Sequence, residues 1–288
     1  MKSAGRRFTL IAIVAAGLVC SSAPLRAQNA AASATSTLTL QQIEDFLLNA
    51  KIVKSREVGK GVTGSRVATL TDGRITHDAH IQNVNIEKQV FHPSRGPVEL
   101  NFKDHYRYNI AAYRLARLLG LTNVPVSVER RIERDHAAVT WWVDDVMMDE
   151  LERMEREKKK TLPESWRSST AAAYIHVRRV FDELIANTDR NAGNQLWTKD
   201  GRLWLIDHTR AFRLSQKLKK PGILQRCDGN LLKALQALTT ESVTAAVDQT
   251  LTPGEINALI KRRDLIVKQF DEMIKTRGEA LILYKLAH

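Results

Sequence analysis

Apolar positions change their period along the chain. From Thr39, the residues Leu40, Ile43, Phe46 and Leu47 recur at helical spacing, and Thr39 with Gln42 makes a capping box, which predicts a helix ending near Lys51. The period then drops to two. Ile52–Val58, Ser65–Thr71 and Arg74–Val84 read as strands, with the turn-forming stretch Gly59–Gly64 after the first and a hairpin turn at Asp72-Gly73. Residues 92–97 carry two prolines and a glycine and read as a loop. His105–Leu119 returns to the helical period through Ile110, Tyr113, Leu115 and Leu118, and Gly120 is placed to end it. Val124–Ile132 and Ala137–Val146 read as strands joined at Asp135-His136. Glu150–Lys160 is a highly charged helix whose Lys158-Lys159-Lys160 run suits a solvated C-terminal end. A helix from Glu164 to about Asn187, with Pro163 in its first turn, has a buried stripe of Trp166, Ala173, Val177, Val180, Phe181, Leu184 and Ile185. A polar loop, Thr188–Gly193, leads to a hairpin of Gln195–Thr198 and Arg202–Ile206 around Asp200-Gly201. Helices follow at 229–238, 240–249 and 253–275, with a last turn near 280, and Thr252-Pro253 supplies a cap and first position. Strands first and helices later predict an α+β protein of two lobes, a small β-rich one over 39–146 and a helical one over 147–288.

The N-terminal segment has a different character. Lys2, Arg6 and Arg7 precede an apolar run from Phe8 to Val19, and Leu25-Arg26-Ala27 offers a small residue for cleavage, so residues 1–27 are expected to be a signal peptide and 28–38 a flexible leader. Lipidation at Cys20 is a second reading, set back by the bulky Val19. A processed chain would be exported, periplasmic or secreted, and soluble. Without Lys2, Arg6, Arg7 and Arg26, the 44 basic residues become 40 against 32 acidic ones, a net +8 instead of +12. That charge is spread along the chain, so a nucleic-acid partner is not expected, while weak contact with an anionic surface is. One remaining cysteine, Cys227, excludes an intramolecular disulfide and a zinc ribbon. The chain also has no His-Glu-x-x-His pair, no Gly-x-Ser-x-Gly elbow and no Walker loop.

The chemistry concentrates in Asp189-Arg190-Asn191-Ala192-Gly193-Asn194 and, after the hairpin, Ile206-Asp207-His208. A helix delivers Asp189 in a loop, Asn194 opens a strand, and the return strand can bring Asp207 beside Asn194. Two carboxylates and an amide oxygen around one point suit Mg²⁺ or Mn²⁺ together with phosphate oxygens, and leave Asp189 able to accept a hydroxyl proton.

This segment resembles the catalytic and metal-binding loops of the protein-kinase-like superfamily. It is closest to the phosphatidylinositol kinase-like branch and its atypical relatives, the HipA type and the secretory-pathway casein kinase type. Ile110-Ala111-Ala112-Tyr113, Leu118-Leu119-Gly120-Leu121 and Val124-Pro125 resemble the helix after the third strand in those relatives, and the similarity spans about residues 52–213. It implies a phosphotransferase that moves the γ-phosphate of ATP to a hydroxyl of an unknown protein, lipid or small molecule. Asp189 would be the base, with Arg190 pairing with a neighbouring carboxylate to orient the loop. Asn194 and Asp207 would hold the metal, while Gly59, Gly61, Gly64 and Gln82 would lie on the nucleotide. Arg210, Arg213, Lys217, Lys219 and Lys220 fall where an activation segment would run. Relatives carry a lysine on the third strand and a glutamate on the following helix. Here Gln82 and Asn109 stand in those places, with Lys88 or Lys103 as possible substitutes for the lysine. The implied alternatives are a pseudokinase that binds a nucleotide or a protein without turnover, and an adenylyl transferase on the same fold.

Overall fold

The computed structural model describes residues 38–57, 65–93, 98–162, 166 and 169–286. The expected signal peptide, nearly all of the leader, the glycine stretch with Gly59, Gly61 and Gly64, and Pro163 lie outside the described residues.

Helix α1 (Leu40–Asn49) starts at the expected capping box, with Thr39 Oγ1 accepting the Gln42 N–H at 3.2 Å and Gln42 Oε1 accepting the Thr39 N–H at 2.8 Å. Its Phe46 and Leu47 are buried against a five-stranded antiparallel sheet made of β1 (Lys51–Glu57), β2 (Arg66–Thr71), β3 (Thr76–Gln82), β6 (Ser127–Ile132) and β7 (Asp135–Trp141). The strand order is β1-β2-β3-β7-β6. Asp72 closes the β2–β3 hairpin by accepting the N–H groups of Arg74 and Ile75 on Oδ1, and Gly73, at φ 88°, supplies the left-handed residue. The alternation on β3 is strict. His77, Ala79 and Ile81 face the core, so Asp78, His80 and Gln82 share the opposite face.

Two elements differ from the sequence expectation here. The turn between β6 and β7 is Glu133-Arg134, with Glu133 at φ 58°, and Asp135 and His136 are already paired with Ile132 and Arg131. Asp and His are turn formers, but the ladder continues through them, because register follows the buried Val139 and Ala137 rather than local propensity. A second hairpin, β4 (Asn85–Phe91) and β5 (Glu99–His105), lies between β3 and helix α2 (Arg107–Leu118). Its second strand, which ends at His105 where the helix was expected to begin, has too few apolar residues to show a period.

The chain then forms β8 (Val146–Asp149), α3 (Glu150–Lys158), α4 (Ser169–Leu184), β9 (Gln195–Thr198) and β10 (Leu203–Leu205), followed by α5 (Gly229–Ala237), α6 (Thr240–Val247), α7 (Pro253–Arg277) and α8 (Glu279–Ile282). Strands β8, β9 and β10 make a small sheet in the order β10-β9-β8. Two further residues pairs, β11 (Cys227–Asp228) and β12 (Leu283–Tyr284), run parallel. The helical lobe is built on Phe181, Leu184, Ile185, Trp197, Leu235, Leu259, Ile266 and Phe270. The two-lobed α+β architecture is therefore present.

The lobes share polar fasteners. Tyr108 of α2 donates its hydroxyl to Glu255 of α7 at 2.5 Å, and Lys103 of β5 approaches the same carboxylate at 3.6 Å. Within the helical lobe, Arg262 of α7 is fully buried and donates to the carbonyls of Leu184, at 2.8 Å, Arg213, at 2.9 Å, and Ser215. Burial lowers its pKa to about 10, and three carbonyl acceptors offset the desolvation of the cation. Replacing Arg262 with Met should strand those carbonyls and cost about 2–4 kcal/mol. Urea unfolding of the variant checks this, and an unchanged midpoint would contradict it.

Candidate functional site

A cavity of about 410 Å³ opens between the five-stranded sheet and the β9–β10 hairpin. Its lining combines the apolar Val124, Pro125, Trp141, Trp142, Val146 and Leu205 with the polar His80, Asn109, Asn194, Asp207 and His208. Trp142 belongs to this lining and is 38% exposed, so it lies outside the core and off the strand expected to hold it.

Each polar group is set by local structure. Helix α4 ends at Leu184, and Ala186 turns left-handed at φ 47°. Asn187 Oδ1 accepts the Asp189 N–H at 3.0 Å, and Thr188 donates its hydroxyl to the Arg210 carbonyl at 3.2 Å. Arg190 turns away from the cavity. Its Nε sits 3.0 and 3.2 Å from the two oxygens of the Asp182 carboxylate, while Nη1 donates to the carbonyls of Asn194 at 3.0 Å and Ile206 at 2.6 Å. Arg190 thus ties the end of α4 to both strands of the hairpin and positions the loop. Burial raises the pKa of Asp182, against the pull of Arg190 and Arg178. Asn191 Oδ1 accepts the Asn194 N–H at 3.1 Å, and the Ile206 N–H reaches the Asn194 carbonyl at 3.1 Å. Asn194 is thereby held directly beside the residue that precedes Asp207.

Asp207 adopts φ 51°, a left-handed conformation that Asp tolerates better than most residues. Its Oδ1 accepts the Thr209 hydroxyl at 3.1 Å. Its other oxygen and the Asn194 side-chain amide make no hydrogen bond to another described residue. Asp189 has a raised pKa, caused first by burial and reinforced by the carboxylates of Asp207 and Asp104, with Arg210 and Arg190 opposing. Arg210 bridges the group, its Nε 2.9 Å from Asp104 and its Nη1 3.4 Å from Asp189.

Gln82 and Asn109, expected in the places of the relatives' lysine and glutamate, are in contact. Asn109 donates its amide to Gln82 Oε1 at 2.9 Å and accepts the His208 N–H on Oδ1 at 2.7 Å. Both residues are buried. Asn109 reaches the cavity wall and Gln82 sits behind it. The two lysines offered as substitutes are engaged elsewhere. Lys103 pairs with Glu87 at 3.2 Å and with Glu255, and Lys88 lies over the Phe91 ring. No Lys or Arg is among the described lining residues; the histidines there are His80 and His208. Burial lowers the pKa of His80, with Asp207 pulling the other way. His80 was missed in the sequence, although it shares the cleft face of β3 with Gln82, two positions away. His208 is buried, and its pKa lies well below the ordinary histidine value.

Could these residues hold a divalent cation? The donor set is Asp207 and Asn194, with Asp189 close enough to act on Asp207 electrostatically. All are oxygen ligands with capacity left, which fits Mg²⁺ or Mn²⁺ retaining water and phosphate ligands. Among the described residues no cluster of three or more His, Cys, Asp or Glu forms a self-sufficient metal cage.

No family model and no curated protein matches this sequence. Solved structures do match. A hydra Fam20 solved with a sugar is 15% identical, covering 85% of this chain and 92% of that one, with a TM-score of 0.62. The Golgi casein kinase is also 15% identical, over 86% of this chain and 80% of that one, at a TM-score of 0.58. The Helicobacter pylori proinflammatory kinase CtkA is 11% identical, over 82% and 98%, at a TM-score of 0.51. At such identities the likeness concerns the path of the backbone, and on that ground the chain has an atypical protein-kinase-like fold.

Proposed function

We propose that the protein is a kinase-like phosphotransferase that uses ATP and a divalent cation, with Asp189 as base and Asn194 and Asp207 as metal ligands. The observation that carries this reading is the meeting of Asn194 and Asp207, both with unused oxygen capacity, in a cavity whose lining is otherwise largely apolar and aromatic. The apolar and aromatic lining suits a purine ring, and the polar groups suit phosphates. In the transfer, the acceptor oxygen forms a bond to the γ-phosphorus while the bond to the β,γ-bridging oxygen breaks; the acceptor proton passes to Asp189 and ADP leaves. Asp207 and Asn194 would hold the cation, which would supply charge neutralisation on the phosphate oxygens. Arg190 keeps the loop in register, and Arg210 holds the Asp189 carboxylate in place.

Thermal unfolding with ATP tests the site, because a ligand that binds only the folded state raises the midpoint. The expected result is a rise that requires Mg²⁺ or Mn²⁺ and disappears in Asp207→Ala. In Asp189→Asn, binding should survive and transfer should not. No shift in the wild-type protein would end the nucleotide reading.

A second reading is favoured by the neutral Gln82–Asn109 pair: a pseudokinase, which holds nucleotide without turnover. Gln82→Lys alone should destabilise the protein on the order of 3 kcal/mol by burying an unpaired charge, and Gln82→Lys with Asn109→Glu should recover part of that loss. Urea unfolding of the four-member cycle reads the coupling. If phosphate transfer is seen only in the double variant, the pseudokinase reading stands.

The protonation of Asp189 gives a further check. Removing the Arg210 cation takes away the largest influence that lowers its raised pKa, so Arg210→Met should move the Asp189 titration to higher pH. Carboxyl NMR follows this directly, and a shift to lower pH would contradict the arrangement. An Asp189 base acts only when ionised, so transfer should fade as pH falls through its pKa, and at higher pH in the variant.

A further inference from the structure

Helix α3 is built inside out. Its charged residues Glu150 and Arg153 are 9% and 8% exposed, whereas its apolar residues Leu151 and Met154 are 57% and 53% exposed. The interior arrangement is fully satisfied. Glu150 accepts Arg153 Nε at 2.7 Å and Nη2 at 2.9 Å and the Trp197 indole N–H at 2.7 Å, and Arg153 Nη1 reaches Glu157 at 3.1 Å. With that network fixing the helix rotation, Leu151 and Met154, neighbours one turn apart, are held toward solvent. Val146 and Met147, on the strand leading into the helix, are exposed too, and Val146 and Trp142 rim the cavity. A short helix that spends its polar residues on the core and presents apolar ones outward has the form of a docking surface.

The charges around the stripe identify the occupant. Asp149 and Glu152 lie at the start of α3, Glu155 beside Met154, and Arg156, Lys158, Lys159 and Lys160 at the end. An anionic lipid surface would meet Glu152 and Glu155 unfavourably. A second α3 laid antiparallel places each acidic start against the basic end of the other, opposes the helix dipoles and stacks Leu151 and Met154 across a two-fold axis. We propose that this stripe is the centre of an interface between two copies of the chain, with their α3 helices antiparallel. The surrounding Glu and Lys side chains form its polar rim. This holds whether or not the cavity takes ATP.

Sedimentation velocity of the purified protein over a range of concentration tests it. The wild type should dimerise reversibly. Leu151→Ser with Met154→Ser should weaken association at least about tenfold while leaving the thermal midpoint in place at concentrations where the wild type is monomeric, since both side chains are exposed. Glu152→Lys and Arg156→Glu should each weaken self-association, and an equimolar mixture of these two proteins should restore it as a heterodimer, because the antiparallel arrangement sets Glu152 of one copy near Arg156 of the other. A wild type that stays monomeric at its highest soluble concentration overturns the proposal, as does a dimer indifferent to the serine variant. A monomer that binds anionic vesicles through Leu151 and Met154 also overturns it and assigns the stripe to lipid. Failure of the mixed pair to associate, when each parent is monomeric, rules out the antiparallel arrangement.

Discussion

The guanidinium of Arg190 is the constraint on which the candidate site rests. One planar group joins the carboxylate at the end of α4 to the carbonyls of Asn194 and Ile206, and those residues precede or carry the oxygens that face the cavity. The fork geometry of arginine is what allows this, since a lysine could not donate in three fixed directions from a buried position. Asp182 is the necessary counterpart. Without it the cation would be buried among carbonyls alone, and the loop would lose the charge that anchors it. The chain between Arg190 and Asp207 can vary as a hairpin, but its two ends cannot separate.

The second organising contact is neutral. Asn109 joins β3, α2 and the backbone after Asp207 through Gln82 and the His208 N–H. An ion pair in this place would bring stronger attraction and a larger desolvation cost, and would present an ammonium to the cavity. Two amides keep the geometric coupling of strand, helix and loop while removing the charge. Their hydrogen bonds do not depend on pH over any ordinary range, so the register of these three elements is independent of titration, unlike the carboxylate environment a few ångströms away.

Much of this architecture was legible in the sequence because its signals are local. The capping box at Thr39, the cap at Thr252, the Asp72-Gly73 and Asp200-Gly201 turns and the buried stripe of α4 are all written in adjacent residues. The placement of Asn194 and Asp207 followed from a hairpin whose length leaves few alternatives. What was hidden depends on partners far along the chain. β5 has a weak pattern and becomes a strand through pairing with β4, and β8 is fixed by pairing with β9, about fifty residues later. The turn at Glu133-Arg134 lost to Asp135-His136 in local propensity and won through register. The turned-out face of α3 was unreadable because its charged residues are buried only in the presence of Trp197. His80 carried no motif, and its place at the cavity became visible once β3 had a cleft face.

The β4–β5 hairpin enters the description as an interruption between β3 and α2, yet it carries the carboxylates that balance the segment after Asp207. Asp104 holds Arg210, Glu99 holds Arg213 at 3.0 Å, and the His105 N–H donates to the Thr209 carbonyl at 2.9 Å. The electrostatic sign beside Asp189 is therefore not a property of the loop that contains it. Asp104 and Glu99 offset two guanidinium charges; without them the same loop would present a cationic rim. The hairpin is thus the source of this loop's counter-ions, so changes in its composition would retune the charge beside the cleft without altering a single residue that lines it.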